Sequence, residues 1–195
     1  TPLPLQLNNT GRVKIKHPKK DKDKWYNTSL SWMSIGYETE IPPIYTLTFF
    51  NAIANDGKMI SPLFVKSVMK NGQVLQKFEA QVINEQICKP STLRDIREVL
   101  LGVVEGKKGT AKNVKSDLFR IAGKTGTAQI SQGLAGYKGE KTRHRVSFCG
   151  YFPADKPEYT CLVVVTQPNG MPSGGKMAGW PAAHHRGGAG RRPLR

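Results

Sequence analysis

The sequence predicts an α+β fold in which helices pack on an antiparallel sheet, because the hydrophobic period changes along the chain. Two segments between residues 44 and 103 repeat apolar residues at helical spacing. From residue 119 onward, apolar and polar residues alternate with the period of two that is typical of strands. Helices followed by strands with hairpin-length connections indicate a layered α+β arrangement.

The first predicted helix extends from Ile44 to about Asn55, follows Pro42-Pro43 and is ended by Gly57. Its apolar positions are Ile44, Leu47, Phe50, Ile53 and Ala54. The second helix begins at Pro90-Ser91-Thr92 and stops in the glycine-rich stretch 105–111. Its apolar face consists of Leu93, Ile96, Leu100 and Val103. Residues 1–40 are predicted to be irregular.

The period-two segments predict two groups of strands. Residues 63–69 and 73–78 flank Asn71-Gly72, a dipeptide typical of two-residue hairpin turns. The second group comprises residues 119–129, 145–152 and 160–167. Its last two strands are joined by residues 153–157, which begin and end with proline and have the length of a hairpin connection.

The formal net charge of +16 is concentrated in two runs. Residues 12–24 contain seven Lys or Arg and two Asp, and residues 176–195 contain five Lys or Arg and no acid, so each run carries +5. Nucleic-acid binders place such charge on a folded face with aromatic side chains, whereas these runs fall in a predicted loop and tail. A basic polyanion-binding module is therefore the alternative from another functional class, and a solvated surface near anionic lipid or cell-wall polymer is favoured.

The ends of the sequence suggest a piece of a longer protein. The longest strongly apolar stretch, residues 161–165, is far shorter than the ~20 residues of a membrane-spanning helix. Because Thr1 opens neither with an initiator Met nor with a signal peptide, we expect the sequence to begin mid-protein or after processing, with any anchor upstream. Residues 1–178 are predicted to belong to one domain, and residues 179–195 to be a disordered or foreign basic tail.

The run Lys124-Thr125-Gly126-Thr127, hereafter the tetrad, lies on a predicted strand among other short segments in a fixed order. These segments are Ser34-Ile-Gly-Tyr37, Asn51-Ala-Ile-Ala-Asn-Asp-Gly57, Pro62-Leu-Phe-Val-Lys66, Val104-Glu-Gly106, Gly109-Thr-Ala111 and Ser147-Phe-Cys-Gly-Tyr-Phe-Pro-Ala154. Over roughly residues 30–178 the chain resembles class B penicillin-binding proteins, most of all the cell-division and elongation transpeptidases. For the tetrad alone, the alternative is a glycine turn between strands with a solvated lysine.

The resemblance implies a partial transpeptidase fold of the β-lactamase-like type. It also implies that the chain is a fragment of a serine-type D,D-transpeptidase, which binds penicillin and cross-links peptidoglycan stem peptides. Lys124 is the implied catalytic residue, a cation near the acyl-transfer centre. Thr125, Gly126 and Thr127 are the implied substrate-binding residues: the hydroxyls bind the terminal carboxylate, and Gly126 leaves the strand edge without a side chain. In the family, the N–H at the position of Thr127 forms half of the oxyanion hole.

The same resemblance implies partners and a location. The partners are the D-Ala-D-Ala end of the stem peptide and β-lactams, within a cell-wall synthesis complex. The parent protein is expected to be membrane-anchored, with this domain on the periplasmic or extracytoplasmic face of the cytoplasmic membrane. No cofactor, no metal and no nucleic acid is expected.

In the family, the nucleophile is the Ser of a Ser-x-x-Lys motif that lies upstream of all these segments, and a Ser-x-Asn motif lies between it and the tetrad. This sequence contains no Ser-x-Asn triplet. Ser67-Val-Met-Lys70 lies at the end of a predicted strand, and Ser173-Gly-Gly-Lys176 follows the tetrad in the wrong order, so both are interpreted as chance matches. Because Lys124 alone cannot open an acyl bond, the fragment is predicted to be inactive by itself. A related serine D,D-carboxypeptidase or β-lactamase is the alternative within the superfamily.

Other candidate residues are given structural roles. His144 is interpreted as a loop or strand-edge histidine rather than an acid or base, and His184-His185 as part of a solvated tail. Trp25 and Trp32 are interpreted as core anchors. The three cysteines have no metal-binding or CxxC spacing and are predicted to be buried: Cys88, Cys149 and Cys161.

Overall fold

The structure is a computed structural model that describes residues 3–4, 11, 13–130 and 143–167. Its helices are α1 (Ser29–Ser34), α2 (Pro43–Ala54) and α3 (Pro90–Glu105), with short 3₁₀ turns at Lys22–Lys24 and Lys112–Val114. Its strands are β1 (Lys14–Ile15), β2 (Thr39–Glu40), β3 (Met59–Ile60), β4 (Ser67–Lys70), β5 (Gln73–Lys77), β6 (Val82–Asn84), β7 (Ala122–Ile130), β8 (Arg143–Phe152) and β9 (Tyr159–Thr166). None of these helices combines the length and the hydrophobicity that crossing a bilayer demands.

The main sheet is a three-stranded antiparallel meander in the order β7-β8-β9. Its strands lie within three residues of the predicted boundaries, and the predicted hairpin connection joins β8 to β9. The other pairs are β1 with β2, β3 with β6, and β4 with β5. The predicted α+β class, with helices packed on an antiparallel sheet, is confirmed.

Helices α2 and α3 cover one face of the main sheet, α3 over β7 and α2 over β8 and β9. A buried cluster joins them to the sheet and consists of Ile53, Leu93, Leu100, Ala122 and Tyr151. Burying a side chain as large as leucine contributes about 1.5–3 kcal/mol, so these contacts fix how the helices sit on the sheet. The helical periods read from the sequence place Ile53, Leu93 and Leu100 correctly in the core.

Arg97 holds the end of α2 against α3. Its guanidinium donates hydrogen bonds to the carbonyl oxygens of Ile53 and Ala54, and it forms an ion pair of 2.9 Å with Asp56. Carbonyl groups in the last turn of a helix have no partner within the helix and carry partial negative charge. The arginine satisfies them, and Gly57 then turns the chain away with a φ of 89°.

A second cluster covers the opposite face of the sheet at the start of β7. Its members are Val104, Ala111, Val114, Ile121 and Phe148. Phe148 and Tyr151 are three residues apart on β8, so their side chains point to opposite faces. The glycine-rich segment after α3 therefore folds over the face of the sheet that α2 does not cover.

Several sequence-based expectations are wrong in detail. The strand predicted for residues 63–69 begins only at Ser67, as Pro62 and the half-exposed residues after it form no ladder. Residues 1–40 are not wholly irregular, because Ser29–Ser34 is helical. The pair β3 and β6 was not expected, since strands of two and three residues are too short to display a period.

Two burial predictions also fail. Trp32 retains 44% of its surface exposed and packs edge-on against Tyr37 with ring centroids 5.2 Å apart, while Trp25 is only half-buried. Among the cysteines, Cys149 is buried and Cys88 half-buried, but Cys161 is exposed. Cys149 and Cys161 project from opposite faces of neighbouring strands, because Cys161 is the register partner of Gly150.

Candidate active site

The tetrad occupies the middle of β7. Lys124 is paired in register with Cys149, Gly126 with Ser147, and Thr127 with Val146. All four residues are in extended conformation within one continuous strand. The interpretation of the tetrad as a turn is therefore wrong.

Strand β7 lies at the end of the described three-stranded sheet, so alternate backbone groups face away from β8. The N–H of Gln129 is one of these, because it donates to the hydroxyl oxygen of Tyr37 at 3.4 Å. The N–H and carbonyl of a residue point to the same side, and this side alternates along a strand. The N–H of Thr127, two residues before Gln129, consequently points outward from the sheet edge.

Lys124 and Gly126 project from the face of β7 that carries Ala122, whereas Thr125 and Thr127 project from the other face. The Lys124 ammonium donates to the carbonyl oxygen of Thr125 at 2.7 Å. That carbonyl belongs to the outward-facing set, so the ammonium lies at the edge. Among the described residues, no carboxylate lies within ion-pair distance of Lys124.

The two threonines of the tetrad lie in different environments. Thr125 retains 9% of its surface, and its Oγ1 lies 3.1 Å from Oγ1 of Thr110. Thr127 is exposed. The structure thus offers the Thr127 hydroxyl directly to a ligand, whereas the Thr125 hydroxyl already has a partner. That both hydroxyls bind a carboxylate stays a prediction.

Gly126 lies close to the side chain of its cross-strand neighbour, Ser147. A Cβ built on Gly126 would lie 2.5 Å from Oγ of Ser147, closer than two such atoms can approach. That Gly126 also leaves the strand edge free for a ligand stays a prediction.

A cavity of about 750 Å³ adjoins the C-terminal end of β7. Its wall includes Ala128 and Gln129 together with the ion pair of Lys16 and Glu38, whose charged atoms are 2.9 Å apart. Hydrogen bonds from Lys16 and Ser29 hold the pKa of Glu38 below its ordinary value. No residue of the tetrad lines this cavity, so it continues the edge of β7 beyond the tetrad.

Among the described residues, no Ser-x-x-Lys motif supplies a serine nucleophile beside Lys124. Ser67 and Lys70 are the first and last residues of β4, and three-residue spacing on a strand puts their side chains on opposite faces. Ser173-Gly-Gly-Lys176 lies outside the described residues. That the nucleophile is supplied from elsewhere stays a prediction.

Two further residues near the tetrad are Cys149 and His144, both on β8. Cys149 is the register partner of Lys124, but burial raises the pKa of its thiol to about 12, so it stays protonated at neutral pH. His144 is half-buried as the second residue of β8, the central strand of the described sheet, opposite Gln129, so it lies neither in a loop nor on an edge strand. His184 and His185 lie outside the described residues.

The basic run forms no continuous charged face in the described part of the chain. Lys14 is paired with Glu40 at 2.7 Å and Lys16 with Glu38, while the following lysines occupy a turn and a 3₁₀ turn. This arrangement does not favour a polyanion-binding module. Within the ranges 13–130 and 143–167, no three His, Cys, Asp or Glu side chains are grouped as a metal site.

Two residues near the site were not singled out from the sequence. Thr110 contacts Thr125, and Tyr37 contacts the end of β7. Both belong to segments that carry the resemblance, Gly109-Thr-Ala111 and Ser34-Ile-Gly-Tyr37, but their contacts depend on how distant segments fold together. Together, the edge of β7 displays a lysine ammonium, an exposed hydroxyl and an outward N–H, the groups that the resemblance implies for this strand.

Residues 6–183 match the family described as the penicillin binding protein transpeptidase domain. The chain belongs to this family, and the predicted resemblance to class B penicillin-binding proteins is confirmed. Penicillin-binding protein PbpB of Mycolicibacterium smegmatis is 28% identical over 152 residues, which are 75% of this chain and 23% of that protein. Stage V sporulation protein D of Bacillus subtilis is 30% identical over 139 residues, 70% of this chain and 21% of that protein.

Among solved structures, the transpeptidase domain of penicillin-binding protein 3 from Burkholderia pseudomallei superposes with a TM-score of 0.65 and 26% identity. The superposition covers 89% of this chain and 48% of that domain chain. The predicted transpeptidase fold is therefore confirmed. The chain spans less than a quarter of the two curated relatives named above.

Proposed function

We propose that this chain forms one wall of the active-site cleft of a peptidoglycan D,D-transpeptidase that works through a serine acyl-enzyme. The observation that carries the proposal is the position of the tetrad on the outward edge of β7. There an extended peptide can lie beside the strand, with Lys124 and the Thr127 N–H facing the same space. Family membership supports the reaction class.

Each residue of the tetrad has a role in this proposal. The Thr127 N–H donates to the carbonyl oxygen of the D-Ala-D-Ala peptide bond, where negative charge develops during attack. The Lys124 ammonium stabilises that negative charge and assists proton transfer. The hydroxyls of Thr127 and Thr125 donate to the terminal carboxylate of the peptide or of a β-lactam. Gly126 leaves the edge of β7 without a side chain, so that the peptide can lie beside it.

The nucleophile is a serine upstream of this chain in the complete protein. Its oxygen forms an ester with the penultimate D-alanine while the terminal D-alanine leaves with the proton. An amine of a second stem peptide then displaces the serine and completes the cross-link. Because the tetrad belongs to this chain and the nucleophile does not, residues 1–178 are only part of the transpeptidase domain. Residues 179–195 are a disordered or foreign basic tail. The family match ends at residue 183, close to that boundary.

The complete enzyme works on the extracytoplasmic face of the cytoplasmic membrane, held by an anchor outside this sequence and associated with other cell-wall enzymes. The relatives named as penicillin-binding proteins support the assignment. The exposed apolar side chains of α1, Leu30 and Trp32, are available to contact other parts of such a protein.

A labelled penicillin tests the proposal. The full-length gene product should form a stoichiometric adduct on a serine upstream of this chain, and the 195-residue chain alone should form none. An adduct on Ser67 would contradict the assignment of the nucleophile. Product analysis separates the alternatives, since a carboxypeptidase releases D-alanine without cross-links and a β-lactamase rapidly hydrolyses the penicillin. A full-length protein that is never acylated would overturn the proposed function.

A further inference from the structure

The loop after α3 brings Thr110 onto the tetrad from the face opposite Lys124. The Oγ1 atoms of Thr110 and Thr125 are 3.1 Å apart, and either hydroxyl can be the donor. Thr125 is nearly enclosed, with 9% of its surface exposed. A hydroxyl this buried requires a partner, so the pair is part of the packing of the site.

The loop that presents Thr110 is held on both sides of this residue. The N–H of Gly109 donates to the carbonyl oxygen of Gly106 at 3.0 Å, and the N–H of Ala111 donates to that of Val103 at 3.0 Å. Ala111 is completely buried, and any side chain at position 109 would collide with the Val103 carbonyl oxygen. Thr110 is therefore fixed at the end of α3 and cannot move away from β7 without disrupting the loop.

The direction of the hydrogen bond decides what Thr125 can do. A threonine hydroxyl has one proton to donate and two lone pairs. If Thr125 donated to Thr110, its proton would be used and a carboxylate would meet only oxygen lone pairs. If Thr110 donates, the Thr125 proton is available to the carboxylate, and the chain of two hydrogen bonds is strengthened by mutual polarisation.

We propose that Thr110 is a positioning residue for carboxylate recognition: it donates to Thr125, so that the Thr125 hydroxyl donates to the carboxylate of the bound peptide or β-lactam. This inference rests on the proposed function. It adds a residue from outside the tetrad to substrate recognition. It also assigns the loop of residues 106–111 the task of orienting a hydroxyl, beyond covering the sheet.

The test compares Thr110→Val with Thr110→Ser in the full-length protein, using penicillin acylation as the readout. Valine keeps the shape and removes the donor, so we expect acylation to fall roughly three- to tenfold, the range for one neutral hydrogen bond. Serine keeps the donor and should restore most of the rate. The loss should appear in the apparent dissociation constant of the penicillin rather than in the acylation step, because the carboxylate does not react.

A penicillin that lacks the carboxylate charge distinguishes a role of Thr110 in positioning Thr125 from a role in packing alone. With a penicillin methyl ester, Thr110→Val should cause little further loss, since there is no carboxylate for Thr125 to bind. The double variant Thr110→Val, Thr125→Val should be no slower than Thr125→Val alone. Thr48→Val is the control for removing a threonine hydroxyl, because Thr48 is buried, as Thr125 is, and its hydroxyl donates to the Ile44 carbonyl, away from the tetrad.

Each outcome has a defined meaning. Equal losses with the acid and the ester, or additive losses in the double variant, would show that Thr110 only packs and would overturn the inference. An unchanged rate in Thr110→Val would do the same while leaving the proposed function intact. A wild-type protein that is not acylated would contradict the proposed function and, with it, this inference. Melting temperatures identify any variant that fails to fold.

Discussion

Gly126 and Ser147 face each other across β7 and β8 so closely that a Cβ on the glycine would lie 2.5 Å from the serine Oγ. The same Cβ would be 3.9 Å from the Cβ of Ser147, which is an ordinary contact. The conflict is therefore with the hydroxyl alone. An alanine at position 126 would therefore require the Ser147 hydroxyl to move away.

This relationship predicts a rescue. Gly126→Ala should destabilise the chain by roughly 1–3 kcal/mol, the usual range for overpacking a close contact. Ser147→Ala removes the oxygen, so the double variant should recover most of the lost stability. Urea unfolding of the two single variants and the double variant measures the recovery. Additive losses in the double variant would show that the glycine is required for another reason.

Removing the Lys124 charge or the Thr127 hydroxyl should slow acylation of the full-length protein without unfolding it. Thr127→Val removes a hydrogen bond to a charged group, worth ~1.5–3 kcal/mol, and should reduce the rate roughly 10- to 150-fold. Lys124→Ala should reduce it at least as much, because it removes the cation from the place where charge develops. Stopped-flow acylation with labelled penicillin gives these rates.

The control for that experiment is Lys70→Ala, which removes an exposed lysine at the end of β4. It should leave the rate unchanged and so exclude a general effect of lowering the net charge. Near-normal rates in folded Lys124→Ala and Thr127→Val would end the assignment of the tetrad to the active site.

The cysteines should differ sharply in reactivity. Burial raises the pKa of the Cys149 thiol to about 12, whereas Cys161 is exposed. Since the thiolate is the reactive form, a disulfide reagent at pH 8 should label native Cys161 quickly and Cys149 only after denaturation. Cys161→Ser should therefore remove most of the fast phase. Fast labelling of Cys149 in the native Cys161→Ser variant would contradict the packing described for β8.

An ion pair between Arg120 and Asp155 should make stability depend on acidic pH. Hydrogen bonding to Arg120 holds the pKa of Asp155 below its ordinary value. The pair therefore stabilises fully above the unfolded pKa of about 3.9, and its contribution is lost as pH falls through the lower folded value. Both side chains are more than half exposed, at 54% and 58%, so the effect is small and decreases with salt.

The measurement is the melting temperature between about pH 5 and 3 at low ionic strength. Wild type should lose more stability over this interval than Asp155→Asn. Asp117→Asn is the matched control, since Asp117 is exposed and forms no ion pair with any described residue. Parallel curves for wild type and Asp155→Asn would show that the pair contributes nothing.

The long elements of this fold were readable from the sequence because each buries a regular apolar pattern. Leu93 and Leu100 recur at helical spacing, and β8 alternates between two packed faces, so local period and tertiary packing agree. The short strands were missed because two residues carry no period. The burial of Trp32 was predicted wrongly, because the size of an apolar side chain does not indicate whether other residues fold over it.

The candidate site also has features that the sequence predicts and features that it does not. The tetrad and its strand follow from residue types and alternation. The direction of the Thr127 N–H does not, because it depends on which side of β7 pairs with β8. The contact of Thr110 with Thr125 depends on the path of a glycine-rich loop, and such a path has no signal in a hydrophobic pattern.

Tyr37 and Lys124 also protect the protein from its own edge strand. An unpaired strand edge is a template on which another chain can add, and this is a route to aggregation. Along β7, the Tyr37 hydroxyl occupies the N–H of Gln129 and the Lys124 ammonium occupies the carbonyl of Thr125. Between these two contacts, the backbone around Thr127 is the part of the edge that a short peptide can pair with. Among the described residues, the contacts that bound the cleft thus also shorten the edge on which another chain could add.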